Sequence, residues 1–250
     1  MNAHSVLSVP SWVIPGTYAE NLRFLEAKGE IRGVELLFFI YDDEIKRQLD
    51  SEWDEILRYA ERFVFTAHLP EALQPAHGEL VARLSPLVRH FIIHPEGNLG
   101  LQPRRQVPFK ENPISQVSLL AGWSRQYGAK FLAENTQSGL LEALLPHLEA
   151  HPDVNFGLCM DTGHLLLEGK NPAAFLKKHR ERVGEIHLHA VDRKEAALDG
   201  RLPDHRRLRR DEKWLLDLFP LIKDYGGIIN LEVFSWEEAA ESADALRSIY

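Results

Sequence analysis

Eight short apolar runs recur along the chain, most of them followed by a longer amphipathic stretch. That alternation restricts the fold more than any other feature. The runs are SVLSVP (5–10), GVELLFFI (33–40), RFVFTAHL (62–69), HFIIHP (90–95), KFLAEN (130–135), VNFGLCMD (154–161), VGEIHLHA (183–190) and GIINLEVF (227–234). Each has the length of a strand, and most are near-continuously apolar, as strands covered on both faces are. The stretches between them carry helix punctuation. TYAENLRFLEAKG opens on a threonine suited to capping and ends at Gly29, while NPISQVSLLAGWSRQYG has Pro113 near its start and Gly128 at its end. SEWDEILRYAERF, NPAAFLKKH, DEKWLLDLFPLIKDYGG and the closing SWEEAAESADALRSIY follow the same plan. Eight strand–helix units in 250 residues come to roughly 31 residues each, the size of a (β/α)8 barrel unit. An open doubly wound sheet would want a glycine-rich phosphate turn after its first strand, and VPSWVIPG is a poor one. The expected fold is α/β, a single-domain (β/α)8 barrel spanning 1–250.

Composition narrows the partners. The net charge is −8, with 29 Lys and Arg against 37 Asp and Glu, which weighs against nucleic acid. The one cysteine, Cys159, admits no intrachain disulfide and fits a reducing compartment. No apolar run approaches a membrane span, and MNAHSVLSVP lacks the basic and long apolar regions of a signal peptide. A cytoplasmic protein with no membrane partner is the expectation.

Polar residues collect at the carboxyl ends of the predicted strands: His68 (TAHLP), His94 (IIHPEG), Glu134 (AENT), Asp161 with His164 (MDTGH), His187 (IHLHA) and Glu232 (NLEVF). In a barrel these ends share one face, where active sites lie. Each residue alone also reads as structural; Asp161, for instance, suits a helix cap. Seven metal-competent side chains at the same end of successive strands are harder to set aside. Converging carboxylates without a cation would repel one another, whereas carboxylates mixed with neutral imidazoles suit Zn2+, Mn2+ or Fe. His189 is read as facing away from this site, and His77, His147, His151 and His179 as surface residues.

Together AHLP, IIHPEG, AENT, MDTGH, EIHLHAVD and NLEVF resemble, in order and spacing, the xylose isomerase-like TIM-barrel superfamily, which includes endonuclease IV-type enzymes and sugar isomerases and epimerases. The resemblance runs from about residue 5 to 234. It implies a divalent metal held by Glu134, Asp161, His187 and Glu232, as in the isomerases. The larger set of the endonuclease IV type adds His68, His94, His164 and His205, for one to three Zn or Mn ions per chain. That type has Asp-x-His after the seventh strand, but here LPDHRRL sets Asp204 beside His205, which puts the third ion in question. The histidines beyond the isomerase set favour a metal-dependent phosphodiesterase, because phosphoester hydrolysis gains from several ions. The alternative is a sugar or sugar-phosphate isomerase or epimerase. Glu134 and Glu232 are the candidate catalytic carboxylates in either case.

The first βα loop, SWVIPGTYAEN, does not resemble the DNA-penetrating loop of endonuclease IV, so a small phosphoester is the expected substrate. VPSWVIPGTYAENLRFL, VELLFF, TAHLP and HLHAVD followed by PDH are similar to cobamide-remodelling phosphodiesterases, which implies the nucleotide loop of a cobamide. Arg206 and Arg207, in RLPDHRRLRR (201–210), suit a phosphate. Trp12 and Tyr18 suit a ring system, and the long loop 96–112, with Arg104, Arg105 and Lys110, suits a lid.

Overall fold

Every apolar run contributes a strand, and in a computed structural model, which describes residues 5–95, 113–136, 139–192 and 203–249, the strands pair in parallel and in chain order. They are β1 (Val6–Pro10), β2 (Gly33–Leu37), β3 (Val64–His68), β4 (Val88–Ile93), β5 (Phe131–Glu134), β6 (Phe156–Asp161), β7 (Val183–His187) and β8 (Ile228–Asn230). β8 pairs with β1 through Val6–Ile228, Leu7–Ile229 and Ser8–Asn230, which closes the barrel and leaves no free edge.

Helices α1 (Tyr18–Glu26), α2 (Asp43–Arg58), α3 (Gly78–Leu84), α4 (Pro113–Tyr127), α5 (Leu140–Glu149), α6 (Thr162–Leu167), α7 (Pro172–His179), α8 (Lys213–Ile222) and α9 (Trp236–Ser248) accompany them. Thr17 and Glu20 form a full capping box at α1. Gly128 has φ +67° just past α4, the left-handed conformation that glycine adopts at helix ends. Helix α2 starts earlier than the pattern suggests: Asp42 accepts from the Glu44 and Ile45 amides, and Asp43 and Glu44 complement the helix dipole. Helices α3, α5 and α6 escape the sequence pattern. Pro146 lies inside α5, whose N-cap Gly139 offers no side chain, and α6 follows β6 without a turn. His77 is buried rather than on the surface; its Nδ1 accepts from the Gln74 amide.

The two faces of the barrel wall differ. Outward residues such as Val9, Leu36, Phe65, Phe91, Phe131, Leu158, Ile186 and Ile229 pack with the helices into one large core. Burial of a side chain of this size contributes about 1.5–3 kcal/mol. The inward positions one residue along are largely polar: Ser8, Glu35, Thr66, Glu185, His187 and Asn230, all buried. Ile92, Leu132 and Cys159 form a small separate apolar group. Apolar runs such as GVELLFFI thus conceal an interior polar row. Among the described residues no helix is long and apolar enough to cross a membrane.

Candidate metal centre

The strand ends bring all eight predicted ligands into one cluster at the carboxyl mouth of the barrel. Glu134 lies at its centre. Its Oε2 is 3.4 Å from His68 Nε2, 3.5 Å from His94 Nε2 and 3.5 Å from His187 Nδ1, and its Oε1 is 3.0 Å from His164 Nδ1. On the other side, Glu232 Oε2 is 3.1 Å from His187 Nδ1, 3.6 Å from His189 Nε2 and 3.7 Å from His205 Nδ1. Asp161 Oδ2 lies between, 3.0 Å from His189 Nε2 and 3.7 Å from His164 Nδ1.

The tetrapeptide Asp161–His164 shows why the chain turns here as it does. Asp161 ends β6 and caps α6, its Oδ1 accepting the His164 amide at 2.7 Å, so its other oxygen stays directed at the cluster. The Thr162 hydroxyl donates to the His189 carbonyl at 2.8 Å and accepts the His189 amide at 3.0 Å, tying the end of β7 to that of β6. Gly163 leaves room: a Cβ there would sit 1.9 Å from His189 Cε1. Asn135, of the AENT stretch, fixes the same strand end, because its amide donates to the Asp161 carbonyl and accepts the Asp161 amide, both at 2.9 Å.

His189 is the ligand candidate that the sequence reading misplaced. Residues two apart share a strand face, so His189 points inward with His187. It is the imidazole of this pair that reaches Asp161, and it stacks on His205 at 4.2 Å. His187 lies beneath, its Nε2 2.9 Å from Glu35 Oε2 and its Nδ1 bordering Glu232. His205 enters from the segment after β7 with φ 51°, its amide donating to His189 Nδ1; Asp204 beside it is half-buried.

The substrate-side residues lie as follows. Trp12 is 58% exposed. Phe39 packs its ring on His68 and Phe234 packs on His205. Arg207 pairs with Glu241 of α9, and Arg206 approaches Glu238 at 3.8 Å. Tyr18 is buried, its hydroxyl donating to the Leu37 carbonyl, so it packs within the fold rather than at the mouth. Arg104, Arg105, Lys110 and the rest of 96–112 lie outside the described residues.

Electrostatics favours a cation. Glu134, Asp161 and Glu232 are 1, 0 and 3% exposed. Burial alone would raise their pKa values, but the surrounding imidazoles outweigh it and hold all three below the usual carboxylate range. For His164 burial works against the charge, yet Asp161 and Glu134 push its pKa up to about 11. His68 goes the other way, lowered by burial, with its Nδ1 2.9 Å from the Leu69 carbonyl. A proton on that Nδ1 leaves Nε2 as the electron-pair donor facing Glu134. Glu232 Oε2 and His187 Nδ1 are buried without a hydrogen-bond partner despite their 3.1 Å approach. Carboxylate oxygens and imidazole nitrogens in this number fit a Zn-, Mn- or Fe-type ion. Among the triads whose donor atoms lie within 4.8 Å of one another are His68/His94/Glu134, Glu134/Asp161/His164 and His189/His205/Glu232.

A family model described as xylose isomerase-like TIM barrel matches residues 79–249. Among solved structures, a D-tagatose 3-epimerase-like protein aligns over 98% of this chain and 96% of its own at 18% identity, with a TM-score of 0.63. Endonuclease IV from Thermus thermophilus aligns over 98% of both chains at 16% identity and TM-score 0.59. D-allulose 3-epimerase from Methylomonas sp. aligns over 99% of this chain and 98% of its own at 15% and 0.63. At such identities the likeness shows the fold alone. No curated protein matches the sequence.

Proposed function

The chain belongs to the xylose isomerase-like TIM-barrel family, and on that premise we propose that it is a divalent-metal-dependent phosphoester hydrolase acting on a small nucleotide-like substrate. The observation that carries this reading is the number of donor triads at the mouth: His68/His94/Glu134 and Glu134/Asp161/His164 share Glu134, and His189/His205/Glu232 stands beside them. One ion suffices to polarise a hydroxy-carbonyl sugar, whereas a donor set for several matches the charge that develops in phosphoester cleavage. When bound there, divalent ions lower the pKa of water and stabilise negative charge on the attacking and leaving oxygens.

The protein's own groups do the rest. His68, His94 and Glu134 would hold one ion, Glu134, Asp161 and His164 another, and His189, His205 and Glu232 a third. His187 supports Glu232 from beneath. Glu134 or Glu232 accepts the proton of the attacking water at a carboxylate oxygen. Arg206, whose approach to Glu238 is long at 3.8 Å, meets the phosphate in this reading. Trp12 and Phe234, 58 and 42% exposed, offer apolar surface to a ring system. With the motif resemblance to cobamide-remodelling phosphodiesterases, these features make the nucleotide loop of a cobamide the favoured substrate.

A second reading has its own support. Glu134 and Glu232 both come within 3.5 Å of His187 Nδ1, an arrangement that lets two carboxylates flank a substrate carbon and shuttle its proton, as isomerisation or epimerisation requires. One experiment separates the two: the Mn- or Zn-loaded protein is incubated with a complete cobamide, an abasic-site oligonucleotide and a ketohexose panel. New phosphomonoester signals in 31P NMR with the cobamide support hydrolysis. Interconversion of ketohexoses with an unchanged phosphorus spectrum overturns it in favour of the second reading.

A further inference from the structure

One layer below the mouth, the barrel axis carries a second group of ionisable side chains. Glu35, Glu185 and His187 are fully buried there and His90 nearly so. They form two pairs: His187 Nε2 with Glu35 Oε2 at 2.9 Å, and His90 Nε2 with Glu185 Oε2 at 2.6 Å. Each carboxylate uses only one oxygen. Glu35 Oε1 and Glu185 Oε1 have no hydrogen-bond partner, nor do Ser8 Oγ, Thr66 Oγ1 and both amide atoms of Asn230. All occupy inward positions, since Thr66 is in register with Glu35, Asn230 with His187 and Ser8 with Asn230.

An unsatisfied buried polar atom is costly, and a charged one more so. Natural interiors give nearly all such groups a partner, whether protein, ordered water or a bound ion. Two buried carboxylates in one low-dielectric space also repel each other. A divalent cation answers both problems, because it matches two carboxylates in charge and accepts electron pairs from the oxygens that lack partners. One donor atom each from Glu35, Glu185 and His187 lies within 4.8 Å of the others, close to the spacing of donors on opposite sides of an ion with bonds of about 2.0–2.6 Å.

Two further features belong to the same place. The β3–β4 ladder steps from Phe65–Val88 to Ala67–Phe91, and the β6–β7 ladder from Leu158–Val183 to Cys159–Glu185. The extra residues fall beside His90 and Glu185, and such bulges re-aim side chains. A cavity of about 570 Å3 opens at the opposite, amino-terminal face, with His90 and Gly184 in its lining and charges of both signs around it (Arg89, Arg180, Glu181, Asp224). It reaches the buried pair through His90.

We propose that the barrel axis holds a separate divalent-cation site, made by the carboxylates of Glu35 and Glu185 and by His187 Nε2, and entered from the amino-terminal face past His90. One imidazole with oxygen donors suits Mn2+, Fe2+ or Zn2+ better than Ca2+ or Mg2+. Ligation through Nε2 leaves the proton of His187 on Nδ1, 3.1 Å from Glu232 Oε2. The interior ion thereby fixes the tautomer of a side chain that supports the mouth, without touching substrate.

The test uses crystals of the full chain grown with Mn2+. The anomalous difference map is expected to show a peak on the axis between Glu35 and Glu185, separate from any peak at the mouth. Glu185→Gln is expected to remove the axial peak and lower bound Mn2+ by one per chain, while the mouth peaks persist. A wild-type map with no anomalous signal on the axis overturns the proposal whether or not the variant folds. So does a Glu185→Gln chain that keeps every ion the wild type binds. Loss of the mouth peaks alone would strike the proposed function and leave the axial site standing.

Discussion

Gly163→Ala should separate the folding of this protein from its metal binding. The added Cβ would lie 1.9 Å from Cε1, 2.4 Å from Nδ1 and 2.9 Å from Nε2 of His189. Carbon–carbon contact is comfortable only beyond about 3.5 Å, so the ring must move by roughly 1.5 Å. That ring is fully buried, stacks on His205 at 4.2 Å, accepts the His205 amide and lies 3.0 Å from Asp161. Moving it disturbs every partner of the third triad. Overpacking costs about 1–3 kcal/mol, and alanine returns about 0.5–1 kcal/mol inside helix α6. The net loss, between nothing and about 2.5 kcal/mol, is one that a domain of this size survives. Ion affinity should fall far more in proportion, by about 10–100-fold or beyond, the range seen when groups that merely orient ligands are changed. Thermal unfolding of the metal-free chain, paired with Zn2+ and Mn2+ titration against a competing chelator, measures both. A Gly163→Ala protein that binds as many ions as wild type, with unchanged affinity, would refute the reasoning and free His189 of its assigned role.

Glu134→Gln keeps the shape and removes the charge; it should fold, yet lose about 10²–10⁴-fold in turnover, and near-normal hydrolysis would contradict the assignment. In the metal-free chain His164 titrates near 11 rather than 6.5. Its raised pKa contributes stability that is complete below pH 6.5 and lost as pH climbs towards 11, so denaturant midpoints of the metal-free chain should fall between pH 6 and 9.5. Metal loading should show the opposite trend, because the same proton must leave before His164 can ligate; chelator competition at pH 6.5 and 8.5 reads this directly. Asn135→Ala removes both 2.9 Å bonds to the Asp161 backbone and should cost about 1–3 kcal/mol in stability, measured by chemical denaturation, together with weaker metal retention on dialysis.

The barrel was legible because its strands are apolar on the helix side, and a run of such residues marks a strand whatever faces the axis. Glu134, Asp161 and Glu232 were legible because each ends or follows a run where the chain emerges at the mouth. The same logic hid Glu35 and Glu185, which sit inside their runs and are drowned by Val34, Leu36 and Ile186. His189 was misplaced although the two-residue period puts it beside His187. The arginines of 206–210 look free in sequence, whereas Glu238 and Glu241 become their neighbours only once α9 folds back on the barrel. Short helices without side-chain caps, such as α3 and α5, leave no punctuation to read.

The alternation between an oily outer face and a charged inner one has a consequence for how the strands find their pairing. Sliding β7 by a single residue would turn Glu185 and His187 towards the helices and send Ile186 and Leu188 to the axis. Both carboxylate–imidazole pairs would break, and stranding one member of such a pair costs about 3–5 kcal/mol. An oily interior would tolerate such a slip more readily, since one aliphatic side chain replaces another there at little cost. The buried charges therefore act as an alignment key: they accept one registry of the closed sheet and penalise its neighbours before any ligand arrives.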